Sequence, residues 1–174
     1  MRLRLKLFPC AAMLAMLATA TPAAAETEVT TLGRFGDWST YTYQENGQPV
    51  CYAASSPVKR RGNVAKRGDV FFLVTHRPEF NDVGVVTVVA GYPFQQDSSV
   101  KITIGKARYN FFTRDETAWA NGSDDGKMVR AMKRGNTMKV VGRSKSGTTT
   151  TDLYSLSGFT KSYAAISKAC KVRD

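Results

Sequence analysis

Apolar and polar side chains alternate along much of this chain, with the period of two that is typical of half-buried β-strands. Residues 38–43 combine aromatic and β-branched side chains in this way. They are followed by Asn46-Gly47, the dipeptide with the strongest preference for a two-residue hairpin turn. We therefore predict an N-terminal hairpin whose second strand contains Cys51.

Further segments have the length and composition of strands. Residues 69–76 and 84–92 are almost continuously apolar, which predicts central strands covered on both faces. Residues 99–105 alternate between apolar and polar side chains, which predicts a half-buried strand. With the shorter strand-like segments that follow, we expect about eight strands in total.

Two segments instead have helical spacing. Apolar residues three and four positions apart predict a short helix over residues 124–134, which Gly135 is placed to end. A second helix should begin behind Ser157 as its N-cap residue and end near Cys170. Because strands and helices do not alternate, a parallel doubly wound sheet is not expected, and the pattern predicts an all-β sandwich or a flattened barrel.

The first 25 residues have the three parts of a secretory signal peptide. A basic start precedes an apolar run over residues 7–20, and small residues end at Ala25, after which we expect cleavage. The apolar run is shorter than the roughly 20 residues that a transmembrane helix needs. A lipoprotein signal at Cys10 is disfavoured because Pro9 directly precedes this cysteine and most of the apolar run lies after it. The protein is therefore expected to be exported, without a transmembrane anchor.

Behind the signal peptide (residues 1–25) we expect a flexible lead-in over residues 26–34 and a single domain over residues 35–174. The chain of 174 residues has 25 Lys and Arg against 14 Asp and Glu, a net charge of +11. Three of the cations and none of the acids lie in the signal peptide, so the exported form keeps a charge of +8. Cys51 and Cys170 are the cysteines outside the signal peptide, and an even pair in an exported protein predicts one disulfide.

A set of short motifs is distributed over the whole predicted domain. It includes FGDW at residues 35–38, a cysteine 13 residues after Trp38, VVAGYPF at residues 88–94, and SLSGF in the segment that ends at Cys170. Together these motifs resemble the invasion-associated locus B family, over nearly the whole exported chain. The resemblance implies an exported bacterial protein of the periplasm or cell surface with an immunoglobulin-like antiparallel β-sandwich, to which the pattern adds one short helix and a C-terminal helix. Members of the family in pathogens are linked to entry into host cells, and no catalytic residues are established for it.

Composition leaves little room for catalysis. One His and three Cys are too few for a Cys/His metal site, and no P-loop or GxGxxG motif is present, so no metal or cofactor is expected. His76 is the single imidazole that could act as a base, but no GxSxG motif accompanies it, and a structural role is favoured. The acidic pairs at residues 115–116 and 124–125 are expected to be solvated turn residues rather than a glycosidase pair.

One loop has part of the spacing of a calcium-binding loop. Asn121, Ser123 and Asp125 are at its first, third and fifth positions. Met132 is at position twelve, where an EF-hand needs a glutamate. We therefore expect a turn followed by a helix start, without bound calcium.

Residues 58–69 form a predicted polar loop with five cations and no acid between them: Lys59, Arg60, Arg61, Lys66 and Arg67. A solvated loop is the ordinary explanation of such a charge run. The functional interpretation is an anion-binding patch for a component of the bacterial envelope or of a host-cell surface. Nucleic acid is not expected as a partner because export separates the chain from it. Two functions follow: a non-enzymatic exported envelope or surface protein that binds an anionic component, or, as the alternative, a cell-wall or glycan hydrolase.

Overall fold

The structure is a computed structural model that describes residues 28–173, so the predicted signal peptide and residues 26–27 lie outside the described residues. Within this range the chain forms eleven strands, two helices and one short 3₁₀ helix, Pro78–Phe80. The strands are β1 (Thr30–Phe35), β2 (Trp38–Glu45), β3 (Gln48–Ser55), β4 (Lys59–Arg61), β5 (Phe71–Arg77), β6 (Asp82–Val89), β7 (Ser99–Ile104), β8 (Ala107–Arg114), β9 (Thr117–Trp119), β10 (Thr137–Arg143) and β11 (Thr149–Ser155). The helices are α1 (Gly122–Arg134) and α2 (Phe159–Ala169).

All eleven strands belong to one antiparallel sheet with the order β1-β2-β3-β5-β6-β9-β8-β7-β10-β11-β4. The sheet curls over itself, because the rings of Phe72 on β5 and Tyr154 on β11 meet edge to face with centroids 5.6 Å apart. Trp38 on β2 also donates its indole N–H to the carbonyl oxygen of Ser155 at 3.0 Å. The predicted antiparallel all-β fold with a short and a C-terminal helix is confirmed, and its two layers are parts of one continuous sheet.

The N-terminal hairpin and the disulfide form as predicted. Asn46 and Gly47 have φ angles of 52° and 77°, the positive values that a type I′ turn requires at both central positions. Cys51 lies on β3, and a disulfide joins it to Cys170 at the end of α2, with the two Cα atoms 5.9 Å apart. The bond spans 119 positions of the chain, a closure that the chain-entropy model values at about 5 kcal/mol.

The N-terminal part of the domain is more ordered than we predicted. The expected flexible lead-in over residues 26–34 is wrong from residue 30 onward, because Thr30–Phe35 forms strand β1 and pairs with β2. This segment has no clear alternation because most of its side chains are exposed. Its order comes from backbone hydrogen bonds to the edge of β2, which side-chain patterning does not reveal.

The strand predicted over residues 69–76 is covered on one face only. In β5, Phe72, Val74 and His76 are buried, whereas Phe71, Leu73 and Thr75 are exposed or half-buried. An antiparallel sheet commonly has one face toward the core and one toward solvent. A continuous apolar run therefore marks an apolar outward surface here and not a second covering layer.

The predicted helix starts need small corrections. Helix α1 begins at Gly122, two residues before the predicted start at residue 124. Helix α2 begins at Phe159 with Gly158 as its N-cap residue, in place of the predicted Ser157. Gly158 has a φ of 89°, and a Cβ atom there would overlap the carbonyl group of Phe35, so the position requires glycine.

Candidate functional site

The predicted basic loop is divided among three environments. Residues 59–61 form edge strand β4, which pairs with β11 through Lys59 opposite Leu153 and Arg61 opposite Thr151. Lys66 is exposed in the following loop. Arg67 is not an exposed cation, because only 9 % of its side chain is accessible. The prediction that all five cations share one exposed loop is therefore wrong.

Arg67 instead forms a buried salt bridge. Its two terminal nitrogens donate to the two carboxylate oxygens of Asp152 on β11, at 3.0 and 2.5 Å, and the Asp152 side chain is 5 % accessible. The Nε atom of Arg67 donates to the carbonyl oxygen of Ala90 at 3.0 Å, and the guanidinium lies 5.1 Å from the centroid of the Tyr92 ring. Bidentate pairing and burial make Arg67 a structural clamp between the loop and the sheet.

A larger cationic surface lies on the outward side of five neighbouring strands, β8, β7, β10, β11 and β4. Residues that pair across an antiparallel sheet point to the same face, so the register identifies its members. We call this surface the basic face. Its seven exposed cations are Lys59, Arg61, Lys101, Arg108, Arg114, Lys139 and Arg143.

The cations of the basic face are arranged in rows across the strands. One row of cross-strand partners, from β8 to β4, consists of Arg108, Thr103, Lys139, Leu153 and Lys59. The next row consists of Asn110, Lys101, Val141, Thr151 and Arg61. Neighbouring strands are about 4.8 Å apart, so cations on alternate strands are separated by roughly 10 Å and a whole row spans roughly 19 Å.

No acidic side chain of these five strands neutralises the basic face. Asp152 is the single acid in them, and it points inward to Arg67. Among the described residues, none of the seven cations has a salt bridge, and the two hydrogen bonds from Arg108 and Arg143 end on backbone carbonyls of adjacent turns. Neighbouring cations of the basic face are separated by about 7–10 Å, close to the Debye length of about 8 Å at physiological salt, so an anionic partner that contacts one of them also experiences the field of its neighbours.

A stacked aromatic pair borders the basic face. Phe112 of β8 and Trp119 of β9 are cross-strand partners whose ring centroids are 5.7 Å apart, with ring planes 23° from parallel. Phe112 is 54 % exposed and has Ser99 of β7 as its other cross-strand partner. On the far side of the pair, Trp119 contributes to a depression of about 360 Å³, which is also lined by Thr75, Thr87 and Thr117.

A second outward concavity lies on β2, β3 and β5. Its volume is about 600 Å³, and its aromatic lining is Tyr41, Tyr43, Tyr52 and Phe71. The rings of Tyr41 and Tyr52 are stacked with centroids 5.0 Å apart. At its margin Arg77 pairs with Glu45 at 3.4 Å, so this surface is nearly neutral. The inner sides of β5 and β11 face each other, so this concavity on the outer side of β5 points away from the cations on the outer side of β11 and β4.

His76 has no access to a substrate. It is fully buried, and its Nδ1 atom accepts the backbone N–H of Gly84 at 2.9 Å. An accepting nitrogen has no proton, so the proton is on Nε2, which lies 3.2 Å from the Oγ atom of Ser167. A protonated Nε2 cannot remove the proton of Ser167, and the Tyr163 ring packs against the imidazole with centroids 5.0 Å apart. The geometry assigns His76 to the core rather than to a catalytic triad.

The expectation that residues 124–125 are solvated turn residues is wrong, because both lie in α1 and Asp125 is buried. Asp125 is buried, and its Oδ1 atom accepts the backbone N–H of Val86 at 2.9 Å, which fastens α1 to β6. Burial raises the pKa of Asp125, and the nearby carboxylates of Asp82 and Asp124 raise it further, whereas the Val86 hydrogen bond opposes the shift. Asp115 and Glu116 form the turn between β8 and β9. In residues 28–173, no cluster of three or more His, Cys, Asp or Glu side chains is arranged to hold a metal ion.

Sequence reasoning missed most members of the basic face. Lys101 and Lys139 alternate with buried apolar residues along their strands, which identifies them as outward-facing. Nothing in that alternation indicates that β7 and β10 are neighbours, or that β4 extends the same sheet. The sequence therefore indicated that each of these cations faces outward, but it did not indicate which other cations lie beside it.

The fold and its surfaces define a disulfide-linked antiparallel β domain with a cationic outward face. Residues 38–167 match the family model described as "Invasion associated locus B (IalB) protein". The chain belongs to this family, as the motifs in its sequence suggested.

One solved structure shows the same fold. The crystal structure of invasion associated protein b from Bartonella henselae has a TM-score of 0.58 and 19 % sequence identity, covering 84 % of this chain and 98 % of that one. No match was found among curated proteins. Within the described part of the chain, no helix has the length and apolar character needed to cross a membrane.

Proposed function

We propose that this protein is exported and acts without catalysis, binding an anionic component of the bacterial envelope or of a host-cell surface through the basic face. The observation that supports this function best is that seven exposed cations on one sheet surface have no acidic partner among residues 28–173. Like charges held together without counter-ions reduce stability and are consistent with a surface that meets an anionic ligand.

Two features support export. The N-terminal sequence has the basic, apolar and small-residue parts of a signal peptide, and the Cys51–Cys170 disulfide is a bond that persists in oxidising compartments. Periplasm or cell surface is thus the proposed location. Export also separates the basic face from cytoplasmic nucleic acid, which makes envelope or surface polyanions the relevant partners.

The hydrolase alternative has no supporting observation in the described residues. Its base would be His76, which is buried and donates from Nε2 toward Ser167. The depression next to Trp119 has no pair of carboxylates that could act as a glycosidase pair, since Asp82 is its single acidic lining residue. We therefore propose binding and not hydrolysis as the activity of this fold.

The test compares binding of three forms of the mature chain, residues 26–174, to immobilised lipopolysaccharide. The face variant is Lys101→Gln/Lys139→Gln, and the matched control is Lys161→Gln/Lys168→Gln, which removes the same charge from exposed positions on α2. Each Lys or Arg near an anionic surface contributes about 1 kcal/mol, so the face variant should bind roughly tenfold or more weakly.

The control variant should bind within about twofold of the wild type, and wild-type binding should weaken steeply with added salt. Equal losses in the two variants would show that net charge and not the basic face determines binding. Failure of the wild type to bind at low salt would contradict the proposed function itself.

A further inference from the structure

We infer that the ligand of the basic face is a linear acidic polysaccharide, which lies across the strands and stacks a sugar ring on Phe112. This inference rests on the proposed function and adds the chemical class of the ligand. It combines two features of one continuous surface: a row of three cations on alternate strands beside a second row with two, and at their border the exposed Phe112, which is stacked on the half-buried Trp119.

The cation rows match a polymer better than a compact anion. In the row from β8 to β4, Arg108, Lys139 and Lys59 occupy alternate strands, roughly 10 Å apart. Three cations spread over roughly 19 Å cannot converge on one phosphate or carboxylate. An extended chain with charges at intervals can meet all three at once, and so we assign this row to a linear polyanion.

The aromatic pair indicates that the polymer has rings. Phe112 lies on β8 two residues beyond Asn110 of the second row and four residues beyond Arg108 of the first, so it is about 7 Å from the second row and about 14 Å from the first. Its ring is 54 % exposed although it is stacked on Trp119. The apolar face of a pyranose ring packs against an aromatic ring, whereas an inorganic polyanion gains nothing from such a contact.

Hydroxyl groups continue the surface past the aromatic pair. The depression next to Trp119 is lined by Thr75, Thr87 and Thr117, together with Leu73, Val85, Arg77 and Asp82, and Thr87 is the cross-strand partner of Trp119. Hydroxyls donate and accept hydrogen bonds, as the hydroxyls of a sugar do. Cations on β7 and β8, the ring of Phe112 and the hydroxyls beside Trp119 follow one another along the outward side of the sheet, and they correspond to the carboxylates, ring faces and hydroxyls of an acidic polysaccharide.

The experiment uses two probes that share charge and differ in rings: oligogalacturonate, a chain of carboxylated sugars, and inorganic polyphosphate. Affinity is measured for wild type, Phe112→Thr, Phe112→Tyr and the control Phe80→Thr. Phe80 is 57 % exposed, like Phe112, but lies in the 3₁₀ helix between β5 and β6. Threonine preserves strand propensity at position 112, and thermal unfolding verifies that each variant is folded.

We expect Phe112→Thr to weaken oligogalacturonate binding about five- to tenfold and polyphosphate binding less than twofold. Phe112→Tyr, which keeps an aromatic ring, and Phe80→Thr should bind both probes like the wild type. The variant Lys101→Gln/Lys139→Gln should lose affinity for both probes, because charge is common to them.

The possible failures are distinguishable. If the wild type binds both probes and Phe112→Thr changes both equally, or neither, anion binding stands and the polysaccharide assignment is wrong. Preference for polyphosphate or for anionic lipid vesicles over oligogalacturonate would also overturn it. If the wild type binds no polyanion at low salt, the proposed function fails together with the inference.

Discussion

Replacement of Arg67 by glutamine should destabilise the fold strongly, although the sequence places this residue in a basic surface loop. Its guanidinium makes two hydrogen bonds to Asp152, one to the carbonyl of Ala90, and a cation–π contact with Tyr92. Both charged side chains are more than nine-tenths buried. Arg67→Gln leaves the Asp152 carboxylate buried without its counter-ion, and breaking a buried pair on one side costs about 3–5 kcal/mol.

This magnitude is large beside the whole stability of a domain, which is typically about 5–15 kcal/mol. For a domain of this size, 1 kcal/mol corresponds to about 2–4 °C in Tm, so we expect a Tm lower by roughly 6–20 °C. Urea unfolding followed by fluorescence measures the change in free energy directly, since Trp38 is fully buried and reports on the core. The neighbouring variant Lys66→Gln is the matched control, and we expect it to change stability by less than about 0.5 kcal/mol because Lys66 is exposed.

A double variant separates the salt bridge from local packing. Arg67→Met/Asp152→Leu removes both charges and should recover much of the lost stability, because apolar groups can replace a buried pair at little cost. If Arg67→Gln and Lys66→Gln have equal stabilities, or if the double variant is less stable than Arg67→Gln, the structural role that we assign to Arg67 is wrong.

Three further outcomes can be checked by unfolding. Reduction of the disulfide between Cys51 and Cys170 should lower the free energy of unfolding by up to about 5 kcal/mol, and equal urea midpoints with and without reductant would contradict this. The pKa of Asp125 is raised in the folded state, so its ionisation costs stability as pH rises from the unfolded pKa through the folded one. Asp125→Asn keeps an acceptor for the backbone N–H of Val86, so the free energy of unfolding of this variant should increase relative to that of the wild type as the pH rises over this range. Parallel pH–stability curves for the two proteins would refute the reasoning. Tyr154 has a buried hydroxyl without a hydrogen-bond partner among the described residues, so Tyr154→Phe should leave the Tm unchanged or raise it, and a loss above about 1 kcal/mol would reveal a missed partner.

Local chemistry in the sequence was sufficient for several elements. Alternation of apolar and polar residues identified most strands, and Asn46-Gly47 specified the first hairpin because both residues accept positive φ. The pairing of Cys51 with Cys170 followed from the number of cysteines left after the predicted signal peptide. Each of these inferences depends on residues that are close together in sequence or on the number of cysteines, so none of them requires knowledge of the fold.

The functional surface depends on contacts that are distant in sequence. Lys59 and Leu153 are cross-strand partners, as are Thr103 and Lys139, and only such pairings bring the cations of β4, β7 and β10 to one face. Strand order is determined by packing of the whole sheet around its core, and a single strand's pattern contains no information about it. For this reason the sequence located the charge of Lys59 and Arg61 correctly but could not name Lys101 or Lys139 as their neighbours.

Burial likewise was decided by tertiary structure for the residues with the most chemical character. The sequence shows Arg67 among four other cations and His76 at the end of a strand, and it shows neither Asp152 nor Ser167 beside them. Whether an ionisable side chain binds a ligand or stabilises the core depends on the partner that folding brings to it. The sequence by itself determined most of the strands, the first hairpin and the disulfide. The tertiary structure decided which charges are neutralised inside the protein and which remain exposed together, because that choice is made by contacts between strands far apart in the chain.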